Sequence, residues 1–467
     1  MSRLEKYAEE LNQLADAVWE KPEAGFREVE SSRLEVEFLK KHGFEVKTDV
    51  AGTFTGYEAT WGQGKPVIAF LGEFDALHGM SQKADILHPE QQEGMEMGQG
   101  CGHHLLGVGA IAAGLAYRDI LKEKGCSGTV KIFGCPGEES GSGKAYMARD
   151  GVFDDCDVAL TWHPEIYNMV CTGSSQSCIQ VYFRFKGVSS HAAGAPHLGR
   201  SALDAVELMN VGVNYLREHM ESCDRVHYAI TNSGGMSPNV VQAEAEVDYF
   251  VRSENNPKCK ALYDRVVKIA QGAALMTETE LEVFFDEGLS NTVPNFALEN
   301  VLDEAFRTVE PVSYTEEERT YAAAYKNTYS IEDTMTGIPS GVKDKKKLKE
   351  HLRNTELCDY YIETEHNDVC EMGSTDVGDV SWVVPTATVN TACYSYGAEG
   401  HSWQWVAQGK SSIAHKGMLY AGEVMAESAR ILLENPEKIK EAWAEFRERL
   451  DGNTYECLIP KDVKPHF

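Results

Sequence analysis

VIAFLGEFDAL, residues 67–77, sets five apolar residues in an unbroken run and follows them with two carboxylates, Glu73 and Asp75. An apolar run of that length without alternation marks a strand covered on both faces. The same form recurs in VKIF at 130–133, followed by Glu138 and Glu139, and in VALTW at 158–162, followed by His163. A long helical pattern from Leu105 to Lys124 separates the first two runs. Strands of this kind alternating with helices describe an α/β fold whose sheet is flanked by helices on both faces. In such sheets ligands gather beyond the C-terminal ends of the strands, which is where all five of these polar residues fall.

Working outward, the chain begins with a helical pattern to Trp19, a second from Glu28 to His42, and β-rich segments at Phe44–Thr48 and Thr53–Thr60. Around Gln180 the pattern changes. A strand (VYFRFKG), a helix from Ser201 to Glu218, strands at Val226–Asn232 and Val240–Val251, a helix at Lys258–Met276 and a strand at Glu280–Phe285 follow in turn. That order is the one of a split, ferredoxin-like α+β unit. Residues 178–292 are therefore expected to form an inserted second domain, with residues 1–177 and 293–467 as the two parts of the first. The charge-rich stretch 309–370, with KDKKKLKE at 343–350, reads as a solvated helix-and-loop excursion or a lid.

The whole chain of 467 residues carries 44 Lys and Arg against 73 Asp and Glu, a formal charge of −29. That field repels phosphate backbones and anionic membranes, so nucleic acid and membrane surfaces are not expected partners. The longest apolar stretch, Leu105–Ala116, contains three glycines and falls short of the roughly 20 residues of a membrane span. Twelve cysteines at irregular spacing, with no Cys-x-x-Cys pair, follow a charged N-terminus without an apolar signal core. Reduced thiols and a cytoplasmic protein are expected.

Four short segments carry candidate chemistry. GQGCGHHLLG at 98–107 offers Cys101 and His103 at the head of a helix, where a thiolate is favoured. CPGEESGSGK at 135–144 offers Glu138 and Glu139, which a loop can point in different directions, one to a metal and one to a water. TWHPE at 161–165 offers His163, and GAEGHSWQW at 397–405 offers His401. Each alone has a structural alternative, a solvated acidic turn or a hydrogen-bonded histidine. Together they supply mixed S, N and O donors that suit Zn²⁺ or a similar transition metal.

These motifs, with GKPVIAFLGEFDAL, SSHAAGAPHLGRSALDAV, HYAITNSGGMSPNVVQAEAEV, GSTDVGDVSW and QGKSSIAHKGM, make the chain resemble the amidase and metallopeptidase family that includes carboxypeptidase G, aminoacylase and the indole-acetyl-amino-acid hydrolases. The likeness covers nearly the whole chain and is poor only across 309–366. It implies that Cys101, His103, Glu139, His163 and His401 bind two divalent ions, Zn or Mn, with Glu138 as general base and Asp75 behind the ligands. It implies that residues 1–177 and 293–467 form a catalytic domain and 178–292 a lid and dimerisation domain, and that His191, Asn239 and Arg252 contact substrate, His191 from the neighbouring subunit of a homodimer. The implied reaction is hydrolysis of an N-acyl amino acid, p-aminobenzoyl-glutamate foremost. Other N-acyl amino acids and dipeptides are alternatives, and so is an accessory role beside a paralogous A subunit. His104 departs from the Asp or Asn usual in relatives, which leaves the local hydrogen bonding open.

Overall fold

The computed structural model describes residues 3–335 and 337–466. Strands β1 (Glu45–Thr48), β2 (Tyr57–Gln63), β3 (Val67–Gly72), β4 (Gly128–Gly134), β5 (Val158–Glu165) and β6 (Met169–Val170) come first. The insertion then contributes β7 (Ser177–Lys186), β8 (Arg225–Asn232), β9 (Glu244–Ser253) and β10 (Glu280–Leu289), and β11 (Thr386–Ala392) returns to the first sheet. The large sheet has seven strands in the order β1-β2-β4-β3-β5-β11-β6. Its centre, β4-β3-β5-β11, is parallel, and the flanking pairs are antiparallel. The mixed, helix-flanked sheet expected from the apolar runs is present.

The helices are α1 (Ala8–Trp19), α2 (Val29–Lys41), α3 (His103–Lys124), α4 (Gly143–Arg149), α5 (Ala202–Leu216), α6 (Asn256–Thr277) and α7 (Phe296–Thr308). After them come α8 (Glu316–Lys326), α9 (Ile331–Thr334), α10 (Lys345–Asn354), α11 (Val377–Ser381), α12 (Trp403–Gln408), α13 (Ser412–Glu434) and α14 (Pro436–Leu450). The run at 67–71 is continuous because β3 is buried on both faces. Ile68 and Phe70 enter the core shared with α1, α3 and α13, while Val67, Ala69 and Leu71 enter a second core with Met147 and Val380. Each such side chain contributes about 1.5–3 kcal/mol by leaving water. α3 is long and apolar enough to cross a membrane by length and composition, but its apolar window is wholly buried within the protein.

The insertion forms a four-stranded antiparallel sheet in the order β8-β9-β7-β10, with α5 and α6 on one face. Its core is separate: Val181, Phe183, Val247 and Val251 pack on Val206, Met209 and Val266. Period-two alternation turns the neighbouring residues of β8 and β9 to the other face. The lid strand expected at Val240–Val251 runs from Glu244 to Ser253, because residues 239–243 are drawn off to pair with the segment around His191.

The stretch 309–370 differs from a solvated excursion. Its helices α8 and α10 bury Ala322, Tyr325, Leu348 and Leu352, and Met335, Val342 and Ile362 join the main core. The lysines of 343–350 occupy the outer face of an amphipathic helix whose Leu348 and Leu352 are one turn apart, a pattern masked in sequence by the density of charge.

α3 reaches the sheet where its glycines permit close approach. A Cβ on Gly109 would lie 2.5 Å from the Trp162 ring, and the Trp162 indole donates to the Leu106 carbonyl at 2.9 Å. Gly109→Ala is expected to cost about 1–3 kcal/mol through overpacking, read as a lower urea midpoint; an unchanged midpoint would show that Trp162 moves aside freely.

Candidate metal centre and substrate cleft

The site lies beyond the C-terminal ends of β3, β4, β5 and β11. Asp75 joins its parts: it is buried, takes the Nδ1 proton of His103 at 2.8 Å through one oxygen, and accepts the Glu139 backbone N–H at 2.8 Å through the other. With Nδ1–H spent on a carboxylate, His103 presents the Nε2 lone pair to the site. His163 is held in the same tautomer by donating from Nδ1 to the Pro164 carbonyl at 2.9 Å. Its Nε2 stands 3.3 Å from Cys101 Sγ. Rather than following β5, His163 lies within it, opposite Asn390 of β11.

Cys101 and His103 converge because Gly102 between them adopts φ +81°, and a Cβ there would collide with the Tyr394 hydroxyl. His401 is itself left-handed, with φ +58°, an uncommon state for a side-chain-bearing residue. The backbone N–H of His401 donates to the Gly100 carbonyl at 2.9 Å. Its Nε2 lies 3.3 Å from Glu139 Oε1, and that same oxygen is 4.0 Å from His103 Nε2.

Three sets of side chains each bring their donor atoms within 4.8 Å of one another: Cys101, His103 and His163; Cys101, Glu139 and His401; and Glu73, His103 and Glu138. His103 Nε2, 3.1 Å from Glu73 Oε2, and Glu139 Oε1, 3.3 Å from His401 Nε2, are buried and make no well-aligned hydrogen bond, which leaves both atoms short of a partner. Although burial opposes it, Cys101, Asp75 and Glu73 hold the His103 imidazole well above its ordinary pKa. This field retains positive charge, and its donors have the chemistry of a divalent-cation site.

The adjacent glutamates differ. Burial, then Glu73 and Asp376, pushes Glu138 well above the carboxylate range. Burial also acts to raise Glu139, but the His401 imidazole beside it and the charge of His103 outweigh it and bring Glu139 down to about 2. Neighbouring carboxyls pushed apart in this way suit different tasks.

Two cavities meet at Glu138, Glu139, Ser374 and His401. One, of about 570 Å³, opens toward the insertion and is lined by Arg225, His227 and Arg252; the other, of about 400 Å³, runs inward past Trp162, Cys171 and Asn390. His191 and Asn239 line neither cavity of their own chain. They sit together in exposed loops, where the Ala192 N–H donates to the Asn239 carbonyl at 3.0 Å. His104 is turned away, fully buried, donating from Nε2 to the Gly409 carbonyl at 2.9 Å, with burial lowering its pKa to about 3. It ties the start of α3 to the turn before α13.

Residues 174–277 match the peptidase dimerisation domain of the M20 family. Over 456 residues the chain is 44% identical to one of the subunits of the p-aminobenzoyl-glutamate hydrolase of Escherichia coli, covering 97% of this chain and 95% of that one. The chain belongs to the M20 family of amide-bond hydrolases. Human Xaa-Arg dipeptidase is 25% identical over 469 residues, with 97% of this chain and 92% of that one covered. A dinuclear metal-binding peptidase of the M20 family from Bacillus subtilis shares the fold at a TM-score of 0.55 and 18% identity, over 92% of this chain and 99% of that one.

Within this M20 site, sequence reasoning gave no role to Lys144 or Asp376 and noted Glu73 only for its position. Lys144 is fully buried, 2.6 Å from Glu73 Oε1 and 2.5 Å from Asp376 Oδ1. Its own N–H donates to Asp376 Oδ2 at 2.9 Å. Lys144 and Asp376 both lie in the stretches that carry the family likeness, but their pairing is not local. A Lys144→Met variant leaves two buried carboxylates without their cation and is expected to lose about 3–5 kcal/mol in urea unfolding. A loss below about 1 kcal/mol would mean that Glu73 and Asp376 protonate and satisfy each other.

Proposed function

We propose that this chain hydrolyses the amide bond of p-aminobenzoyl-glutamate, giving p-aminobenzoate and glutamate. What carries the reading is the meeting, at Glu138, of a thiol–imidazole–carboxylate cluster with a cavity containing Arg252, in a chain 44% identical to a hydrolase named for that substrate. Cys101, His103, Glu139, His163 and His401 would hold two divalent ions, zinc or manganese, with Glu73 a further donor toward His103. Such ions, when bound, polarise the scissile carbonyl and acidify the attacking water. Glu138 takes the proton that water gives up and returns it to the departing nitrogen. Water adds to the carbonyl carbon and the C–N bond breaks. Arg252, whose Nη1 donates to Ser374 Oγ at 2.8 Å, fixes the substrate carboxylate with its planar fork. Arginines in the cavity disfavour a basic leaving residue such as the one named for the human relative.

The primary test is turnover of p-aminobenzoyl-glutamate by the purified chain with Zn²⁺ or Mn²⁺ and without a partner. Turnover without a paralogous companion supports catalysis by this chain alone, and its absence supports the accessory role. Glu138→Gln is expected to keep both metals and lose about 10²–10⁴ in kcat, whereas Glu139→Gln loses metal. The opposite result in metal analysis would exchange the two assignments.

A homodimer built on the 178–292 unit, between catalytic segments 1–177 and 293–467, completes the proposal, as does a cytoplasmic setting consistent with twelve free cysteines. β8 is an edge strand with every residue but Val226 exposed. Beside it α5 exposes Leu208, Val211 and Tyr215. An edge so unguarded is normally covered. Two-fold antiparallel pairing of β8 with its copy would set the C-terminal end of one strand, which leads to Asn239, beside the N-terminal end of the other at Arg225. His191, packed against that loop, would then donate to the developing oxyanion of its partner's site. Mixing Glu138→Ala with His191→Ala chains should restore about a quarter of wild-type activity at full exchange, since half the dimers are mixed and each holds one intact site. No recovery with mixed dimers verified would exclude action across the interface.

A further inference from the structure

We infer that Arg225 and His227 form a second anion-reading position, which selects substrates whose leaving amino acid carries a carboxylate side chain. The inference rests on the reading of Arg252 as the clamp for the carboxylate next to the scissile amide, and extends it to specificity.

The argument begins with strand register. β8 and β9 are antiparallel, and Arg225 stands directly opposite Arg252, with His227 opposite Phe250. Directly opposed residues project to the same face with Cβ atoms about 4.5–5.5 Å apart. Their neighbours Val226 and Val251 are buried against the helices, so both arginines face away from the insertion's core. They line the cavity of about 570 Å³ that Glu138, Glu139 and His401 also line.

The charges there are held but not neutralised. Arg225 Nη1 donates to the backbone carbonyls of Ser222 at 2.7 Å and Asp224 at 2.6 Å. Arg252 donates to a hydroxyl and lies 5.2 Å from the centre of the Phe250 ring. Among the described residues, salt bridges pair many arginines with carboxylates, and neither Arg225 nor Arg252 is one of them. Glu287 also lines the cavity, but β10 is separated from β9 by β7, which puts it about 10 Å away across the sheet. The His227 imidazole makes no hydrogen bond among the described residues. Burial, then Arg252, Arg217 and Arg225, lowers its pKa, leaving a neutral imidazole that can donate one hydrogen bond.

In a chain of net charge −29, two arginines without carboxylate partners on one cavity wall make a local anion site against the global field. One arginine suffices for a single carboxylate. Two, directly opposed across strands, match the paired carboxylates of a glutamate- or aspartate-like leaving group. Backbone carbonyls fix the Arg225 guanidinium beforehand, so little side-chain entropy is lost when it binds.

The test compares N-acyl-glutamate with N-acyl-glutamine bearing the same acyl group, using the metal-loaded full-length protein. The wild type is expected to prefer the glutamate substrate at least about 10-fold in kcat/KM, the size of one charge-assisted hydrogen bond. Arg225→Gln should abolish that preference by raising KM for the glutamate substrate, leaving the glutamine substrate within about 2-fold. His227→Ala should weaken the preference in the same direction. Calorimetric titration with free glutamate and glutamine gives a readout independent of turnover: Arg225→Gln should weaken glutamate binding selectively. Equal losses on both substrates, or no wild-type preference, would overturn the inference. If the wild type hydrolyses neither substrate, the hydrolase reading fails instead, and selective glutamate binding still tests the anion site.

Discussion

Asp75 is the constraint on which the site depends. One carboxylate, buried at the end of a central strand, fixes the His103 ring with one oxygen and the Glu139 backbone with the other. It therefore ties together three elements that meet nowhere else in the sequence: the β3 loop, the start of α3 and the loop after β4. A carboxylate behind a ligand histidine also raises the basicity of the exposed nitrogen. Glu28 extends the same lattice, accepting the Gly137 N–H at 2.8 Å and the Thr55 hydroxyl at 2.6 Å. The peptide just before Glu138 is thus held from behind as firmly as the one at Glu139.

Around this frame lies an unusual density of acid. Glu73, Asp75, Glu138, Glu139 and Asp376 surround a single buried lysine and two imidazoles, His103 and His163. Such a concentration of like charge is unstable unless cations or protons neutralise it. Lys144 supplies part of that neutralisation permanently, on the side away from the cleft. The remainder falls on the cluster facing the cavities, where bound ions would satisfy it. The scaffold's stability and its affinity for cations are consequently linked through the same carboxylates.

The insertion adds a division of labour. Its sheet turns an apolar face inward to α5 and α6 and a polar, cationic face toward the cleft, so one strand pattern serves both packing and recognition. In the mechanism we propose, the metal-side groups would handle the scissile bond and the lid-side arginines the charge on the leaving group. His191 and Asn239 line neither cavity of their own chain, and in the proposed dimer they would serve the second chain.

Much of this was legible in the sequence. The uninterrupted apolar run at 67–71 and the largely apolar runs at 130–133 and 158–162 told of strands buried twice over, because side-chain direction alternates by covalent geometry and needs no tertiary information. The polar residues just beyond those strands followed from the same geometry, and so did the amphipathic insertion. Tertiary structure alone decided which charges meet. Lys144 with Glu73 and Asp376, Arg225 with Arg252 in one cavity, and His104 turned to Gly409 depend on strand order, register and loop path. A lysine within CPGEESGSGK looks solvated in sequence, since its burial is set by partners far along the chain. The helices within 309–370 escaped for a related reason: charge on the outer face outnumbers the few leucines that dock, and docking is a property of the core they meet, not of the segment itself.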